Sequence, residues 1–253
     1  MNEFVIIGES LADTTLATEL AGRIFIEKAE WLEPYLPHKF KWCGLKPDTD
    51  YSCWKDLKTI IAEAKANGAR IPRYLGGKKP VKADGASAHK VLYLVNELRK
   101  ERPIRTIILV RDIDHQYERK EGLEHARESY AHLQHQLQIV IGAANCMREA
   151  WVLNGFVPLD VEEQKRLEAY IAQLKFDPCL EAERLRSRSW EMPDRVRNPK
   201  VVVEVLTNKN QARERQCWQE TDLNLLRDRG HNTGLTDYMQ EVEQRLLSIL
   251  VTE

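Results

Sequence analysis

The sequence predicts an α/β protein: a parallel, Rossmann-like sheet flanked by helices, with a mostly helical C-terminal extension. Three observations carry that expectation. Thr106 to Val110 is an unbroken β-branched and aliphatic run, with Pro103 upstream and the acidic pair Asp112 and Asp114 downstream. Such a run suits a strand buried on both faces of a parallel sheet. Strand-like and helix-like patterns alternate from Phe4 to about Gly155, the order that βαβ units with crossover helices require. Beyond Pro158 the pattern is helical, so the chain divides into an α/β domain over 1–157 and a helical extension over 158–253 packed on it.

Taken in order, Phe4 to Ile7 is a short apolar strand that ends at Gly8-Glu9-Ser10. Ser10 suits a helix N-cap. Ala12, Leu16, Leu20 and Ile24 then recur every four residues as one buried stripe. Residues 30–52, with Pro34, Pro37 and Pro47, read as an irregular connection. Trp54, Leu57, Ile61 and Ala64 mark a second helix closed by Gly68. A third helix runs through Ala88, Val91, Leu92, Val95 and Leu98. After the central strand, Leu123, Ala126, Tyr130 and Leu133 form another helical face. Leu137 to Ile141 is a further strand, and Met147 to Leu153 a short helix. In the extension Val161 to Leu174 is helical, and Tyr238, Val242, Leu246 and Ile249 line one face of a last helix.

With 43% hydrophobic and 30% charged residues and a net charge of −1, the composition is that of an ordinary globular chain. It has no overall basic excess, so contact with nucleic acid needs a local patch. The five cysteines show no C-x-x-C pair and no zinc spacing, which fits a reducing compartment. There is no signal-peptide pattern, and no apolar run approaches the roughly 18 residues of a spanning helix. The expectation is a cytoplasmic protein without a membrane partner.

Ligands in open α/β sheets bind beyond the carboxyl ends of the strands. Glu9 and Asp112 both fall in strand-to-helix turns. If the strands at 4–7 and 106–110 are neighbours, Glu9, Asp112 and Asp114 meet at one sheet edge. Three clustered carboxylates repel one another unless a cation sits among them. Mg²⁺, or Mn²⁺, suits such hard oxygen donors, and can polarise a phosphoryl oxygen and generate a nucleophile from water. The bland alternative for an Asp-x-Asp pair is two solvated side chains after a strand.

Ile6-Ile7-Gly8-Glu9-Ser10, Val110-Arg111-Asp112-Ile113-Asp114 and the order of elements between them resemble a Toprim domain. That domain is shared by topoisomerases, bacterial primases and OLD-type nucleases. The resemblance, which covers roughly residues 4–156, implies Glu9 as general acid/base and Asp112 and Asp114 as magnesium ligands. Asn145 to Leu153 further resembles the Glu-Ala-Trp-Leu-Leu stretch of small standalone Toprim proteins of phage-defence systems, PARIS-effector-like and often encoded beside ATPases. That likeness implies Glu149 as a fourth acidic residue. A negative residue favouring a helix N-terminus is its other reading.

Lys78, Lys79 and Lys82 surround a glycine-rich loop that can hold substrate phosphate, or lie in a solvated loop. The loop lacks the nucleotide-binding P-loop pattern. Arg111 either contacts phosphate or offsets local negative charge, and His115 follows the acidic pair directly. Lys78, Lys79, Arg111 and His115 are the substrate-binding candidates. His125, His132 and His135 lack metal-site spacing. From Arg184 to Trp218 arginines and lysines mix with Trp190 and Trp218, a combination that suits phosphate contact with base stacking. Interspersed glutamates leave a solvated face as its alternative.

The expected function is a Mg²⁺-dependent Toprim endonuclease cutting DNA or RNA, as a toxic anti-phage effector controlled by an ATPase partner. A homodimer is compatible with it. The alternative is a non-catalytic Toprim-like interaction or sensor module that docks on an ATPase.

Overall fold

The computed structural model describes residues 1–72, 82–131 and 137–252. Strand β1 (Asn2–Gly8) leads into helix α1 (Leu11–Lys28). A 3₁₀ turn (Glu30–Tyr35) and the single-turn α2 (Leu36–Lys39) bring the chain to β2 (Phe40–Cys43) and β3 (Ser52–Cys53). A second 3₁₀ turn (Trp54–Asp56) opens α3 (Leu57–Ala66). Then come α4 (Gly85–Leu98), β4 (Ile104–Asp112), α5 (Tyr117–Ala131), β5 (Gln138–Ala144) and α6 (Arg148–Asn154). The C-terminal part holds α7 (Val161–Leu174), α8 (Pro199–Leu206), α9 (Gln211–Gln219), α10 (Leu223–Arg229) and α11 (Leu235–Thr252).

The strands are parallel, in the order β2-β1-β4-β5, with β3 also pairing β1. The parallel α/β sheet expected from the sequence is therefore present, and β1 and β4 are neighbours, with Ile7 opposite Leu109. The 30–52 connection is less irregular than its prolines suggest. β2 pairs along the first half of β1, and Ser52 and Cys53 pair with Ile7 and Gly8. Strands this short show no periodicity in sequence. Aromatic packing holds them, with Phe40 stacked on Phe4 at 4.4 Å and Trp42 edge-on at 5.7 Å.

Alternation along each strand splits the core in two. Phe4, Ile6, Ile108, Val110 and Val140 face a cluster formed with α1, α6 and the C-terminal helices. Val5, Ile7, Ile107, Leu109, Ile139 and Ile141 face α3, α4 and α5. Residues of the C-terminal helices thus share one hydrophobic cluster with the sheet. Tyr238 of α11 stacks on Trp151 of α6 at 5.2 Å and donates its hydroxyl to the Ala17 carbonyl at 2.7 Å. Both rings lie over Gly142, where a Cβ would meet them at 3.1–3.2 Å. Each such large side chain contributes about 1.5–3 kcal/mol by its burial.

Two local expectations are corrected. The buried stripe of α1 begins at Asp13, not Ala12, which is exposed. Ser10 occupies the N-cap position, but its hydroxyl donates to the Asp13 carboxylate at 2.5 Å rather than accepting a helix N–H. Among the described residues no helix is long and apolar enough to cross a membrane.

Candidate functional site

Because β1 and β4 pair in parallel, their carboxyl ends deliver Glu9 and Asp112 to the same edge, with Asp114 two residues on. The three carboxylates line one cavity of about 270 Å³ together with Met147, Arg188, Trp190, Asn198 and Lys200. Past β4 the Ile113 N–H bonds the Ala144 carbonyl at 2.9 Å and the Asp114 N–H the Cys146 carbonyl at 2.8 Å. Asp114 and His115 then adopt left-handed backbone, φ 47° and 60°, a conformation that Asp and His enter more readily than most residues. The chain turns there while the Asp114 carboxylate stays on the cavity.

The electrostatics are those of crowded acids. Burial pushes the Asp112 carboxyl well above the usual range, and the charges of Asp13, Glu9 and Glu149 push it further. The Arg148 N–H, donated to Asp112 Oδ1 at 2.9 Å, offsets only part of this. Glu9 is also raised, first by burial and then by Asp13 and Asp114, against the pull of Arg111. Glu9 Oε1 lies 3.0 Å from Arg111 Nη1, but out of hydrogen-bonding alignment, so this buried oxygen has no hydrogen-bond partner. A buried carboxylate oxygen without a hydrogen bond, beside other carboxyls, is the type of donor that suits a hard divalent cation. Among the described residues no three His, Cys, Asp or Glu side chains are drawn together tightly enough to hold an ion. Arginines take up the charge instead. Arg119 Nη1 contacts Asp114 Oδ2 at 3.1 Å, and the Arg188 guanidinium closes on Asp114 Oδ1. Arg188 is held protonated first by that hydrogen bond, and also by the charges of Asp112 and Glu9.

The other candidates fall in different places. Glu149 is buried, pairs with Arg148 Nη2 at 3.2 Å and is not among the cavity's lining residues; it acts on Asp112 through its charge. Arg111 is committed inside the site. It pairs with Glu9, holds Asp84 through Nε at 2.9 Å and Nη2 at 3.3 Å, and lies over the Trp54 ring at 5.4 Å. His115 Nε2 is 3.4 Å from the Leu185 carbonyl, in a smaller adjoining cavity with Asp114 and Arg186. Lys78 and Lys79 lie outside the described residues. Lys82 pairs with Glu121.

The basic-aromatic stretch does not act as one surface. Arg213 is buried in a two-bond pair with Glu163, at 2.7 and 2.9 Å, and Trp218 is buried with its Nε1–H on Glu19 at 2.7 Å. Arg188, Trp190 and Lys200 instead line the acidic cavity. Sequence reasoning missed two parts of the site. Asp13 lies in the first turn of α1, and its position four residues after Glu9 was the available signal. Arg148 has no signature, and it links Glu149, Glu214 and Asp13, the last at 4.0 Å.

The fold and site together define an α/β protein with a parallel sheet flanked by helices and a cavity of mixed charge at its carboxyl edge. No family model, curated protein or solved structure matches the chain.

Proposed function

We propose that the protein is a Toprim-type, Mg²⁺- or Mn²⁺-dependent endonuclease that hydrolyses phosphodiesters of DNA or RNA. The observation that supports it is one cavity lined by Glu9, Asp112 and Asp114 and also by Arg188 and Lys200. A phosphodiester is a ligand that uses both halves: cationic side chains take its charge, and carboxylates manage protons and a cation. Asp112 and Asp114, with Glu9, are the residues that would hold the cation. When bound, it would polarise the phosphoryl oxygen and favour a hydroxide nucleophile. Glu9, its affinity for protons raised first by burial, is the carboxyl suited to general acid/base work. Arg111 orients Glu9, and Glu149 supports Asp112 at a distance. The role as an anti-phage effector under an ATPase partner rests on the resemblance of the Asn145–Leu153 stretch alone.

Incubation with plasmid DNA and with total tRNA, with and without Mg²⁺ or Mn²⁺, tests the reading. Cleavage that requires the cation is expected. Asp112→Ala should lose it with an unchanged circular-dichroism spectrum, and undiminished cleavage by that variant ends the proposal. The arginine contacts on Asp114 favour a second reading, a non-catalytic module docking on an ATPase. A co-purifying ATPase, with no cleavage under any divalent ion, would select it.

A further inference from the structure

Part of the cavity wall comes from the segment between Leu185 and Pro199, far in sequence from the acidic residues. Both ends of the segment are anchored, since Leu185, Asn198 and Pro199 are buried. Between them the backbone is held by its own bonds. Ser187 N–H reaches the Arg197 carbonyl at 3.2 Å, Arg195 N–H the Glu191 carbonyl at 2.8 Å, and the Asn198 amide the Ser189 carbonyl at 3.0 Å. This strap presents Arg188 and Trp190 at the cavity, and Lys200 follows in the first turn of α8. Trp190 is 53% exposed. A large aromatic ring left half in water at the rim of a charged cavity is a stacking platform in search of a flat ligand.

We propose that the cavity selects an unpaired nucleotide, with its base on Trp190 and the flanking phosphates on Arg188 and Lys200. The proposal rests on the nuclease reading and narrows its substrate to single strands, loops and bulges. Stacking geometry decides this. A base inside a duplex has both faces covered by its neighbours, so a tryptophan ring can stack only on a base that is unpaired or swung out. Cavity size agrees. At about 270 Å³ it lies just below the roughly 300–1,000 Å³ of sites that enclose drug-sized ligands, room for one base-sized group. Charge agrees as well. Arg188 is 65% exposed and is held at the cavity by Asp114. Its planar fork fits a phosphate as well as a carboxylate, so an incoming phosphate can take it over.

The test is binding by the full chain, in Ca²⁺ and with the probe checked intact on a gel. One labelled oligonucleotide is offered as a single strand, as a perfect duplex and as a duplex with one bulged base. Wild type should bind the single strand and the bulge about tenfold or more tighter than the duplex. Trp190→Ala should lose about tenfold on those two probes and nothing on the duplex, and Trp190→Phe should keep most of the preference. Equal loss on all three probes, or no loss on any, overturns the proposal, as does a wild-type preference for duplex. Cation-dependent plasmid cleavage by wild type, with equal binding of the three probes, would remove this inference and leave the nuclease reading standing. Absence of cleavage and of binding in wild type would remove both.

Discussion

The Asp112 carboxylate accepts the backbone N–H of Arg148 at 2.9 Å, fastening the end of the central strand to the first turn of α6. One neutral donor is a small return for a buried carboxylate that also feels Asp13, Glu9 and Glu149. Ionising Asp112 is therefore costly to the fold.

Asp112→Asn separates the hydrogen bond from the charge. The amide keeps an oxygen for the Arg148 N–H and removes one charge from the cluster. At pH 7 in EDTA the variant should melt a few degrees above wild type, given about 2–4 °C per kcal/mol for a chain of this size. Added Mg²⁺ should raise the melting temperature of wild type and not that of the variant. A lower melting temperature for Asp112→Asn would show that the ionised carboxylate is a net stabiliser.

Arg188 and a divalent cation compete for Asp114 under the proposed function. Arg188→Ala should tighten Mn²⁺ binding, read by isothermal titration calorimetry. Because the arginine is largely exposed, its pairing is worth only about 0.2–1 kcal/mol, so the gain should be about 1.4-fold to fivefold. Weaker Mn²⁺ binding in the variant would contradict the competition.

The central strand, the alternation of elements and the first and last helices were legible because long apolar runs and sustained 3.6-residue periodicity report burial directly. The acidic triad was legible because two of its members share one motif and the third ends a strand. What stayed hidden depends on contacts across long stretches of chain. Asp13 sits in the stripe position that Ala12 fits by composition, because Ser10 and Arg148 supply polar company inside. The division of the basic stretch into buried Arg213, cavity-lining Arg188 and surface Arg215 follows from where Glu163, Asp114 and Glu19 lie. Nothing in local sequence encodes that.

The Glu163–Arg213 pair sets a pH dependence. Burial raises the Glu163 carboxyl, but the Arg213 bonds and the Leu159 N–H at 2.9 Å outweigh it and leave the carboxyl below its ordinary value. A depressed carboxylate contributes stability above its unfolded value of 4.5 and loses it as pH falls through the folded value. Glu163→Gln strands a buried guanidinium and should cost about 3–5 kcal/mol at pH 7, roughly 6–20 °C in melting temperature. The gap to wild type should narrow below pH 4.5. A gap that stays constant down to acid unfolding would mean that ionisation of Glu163 is not what stabilises α7.

Gly8 precedes Glu9 and packs against the first turn of α1. A Cβ at Gly8 would lie 2.7 Å from Thr14 Cγ2 and 3.3 Å from Asp13 Cβ. The Thr14 methyl must shift, and Asp13 Cβ must give by a few tenths of an ångström. Gly8→Ala should cost about 1–3 kcal/mol by overpacking. If the acidic cluster is catalytic, it should also lower cleavage more than the loss of folded protein explains, because Glu9 is the next residue. Thr14→Ser removes the clashing methyl and keeps the hydroxyl that bonds the Leu11 carbonyl at 3.0 Å. The double variant should therefore recover about half or more of the lost stability, with coupling of about 0.5 kcal/mol or larger. Strictly additive melting temperatures would show that the strand and the helix yield elsewhere, and that the glycine is not what sets the distance between Glu9 and Asp13.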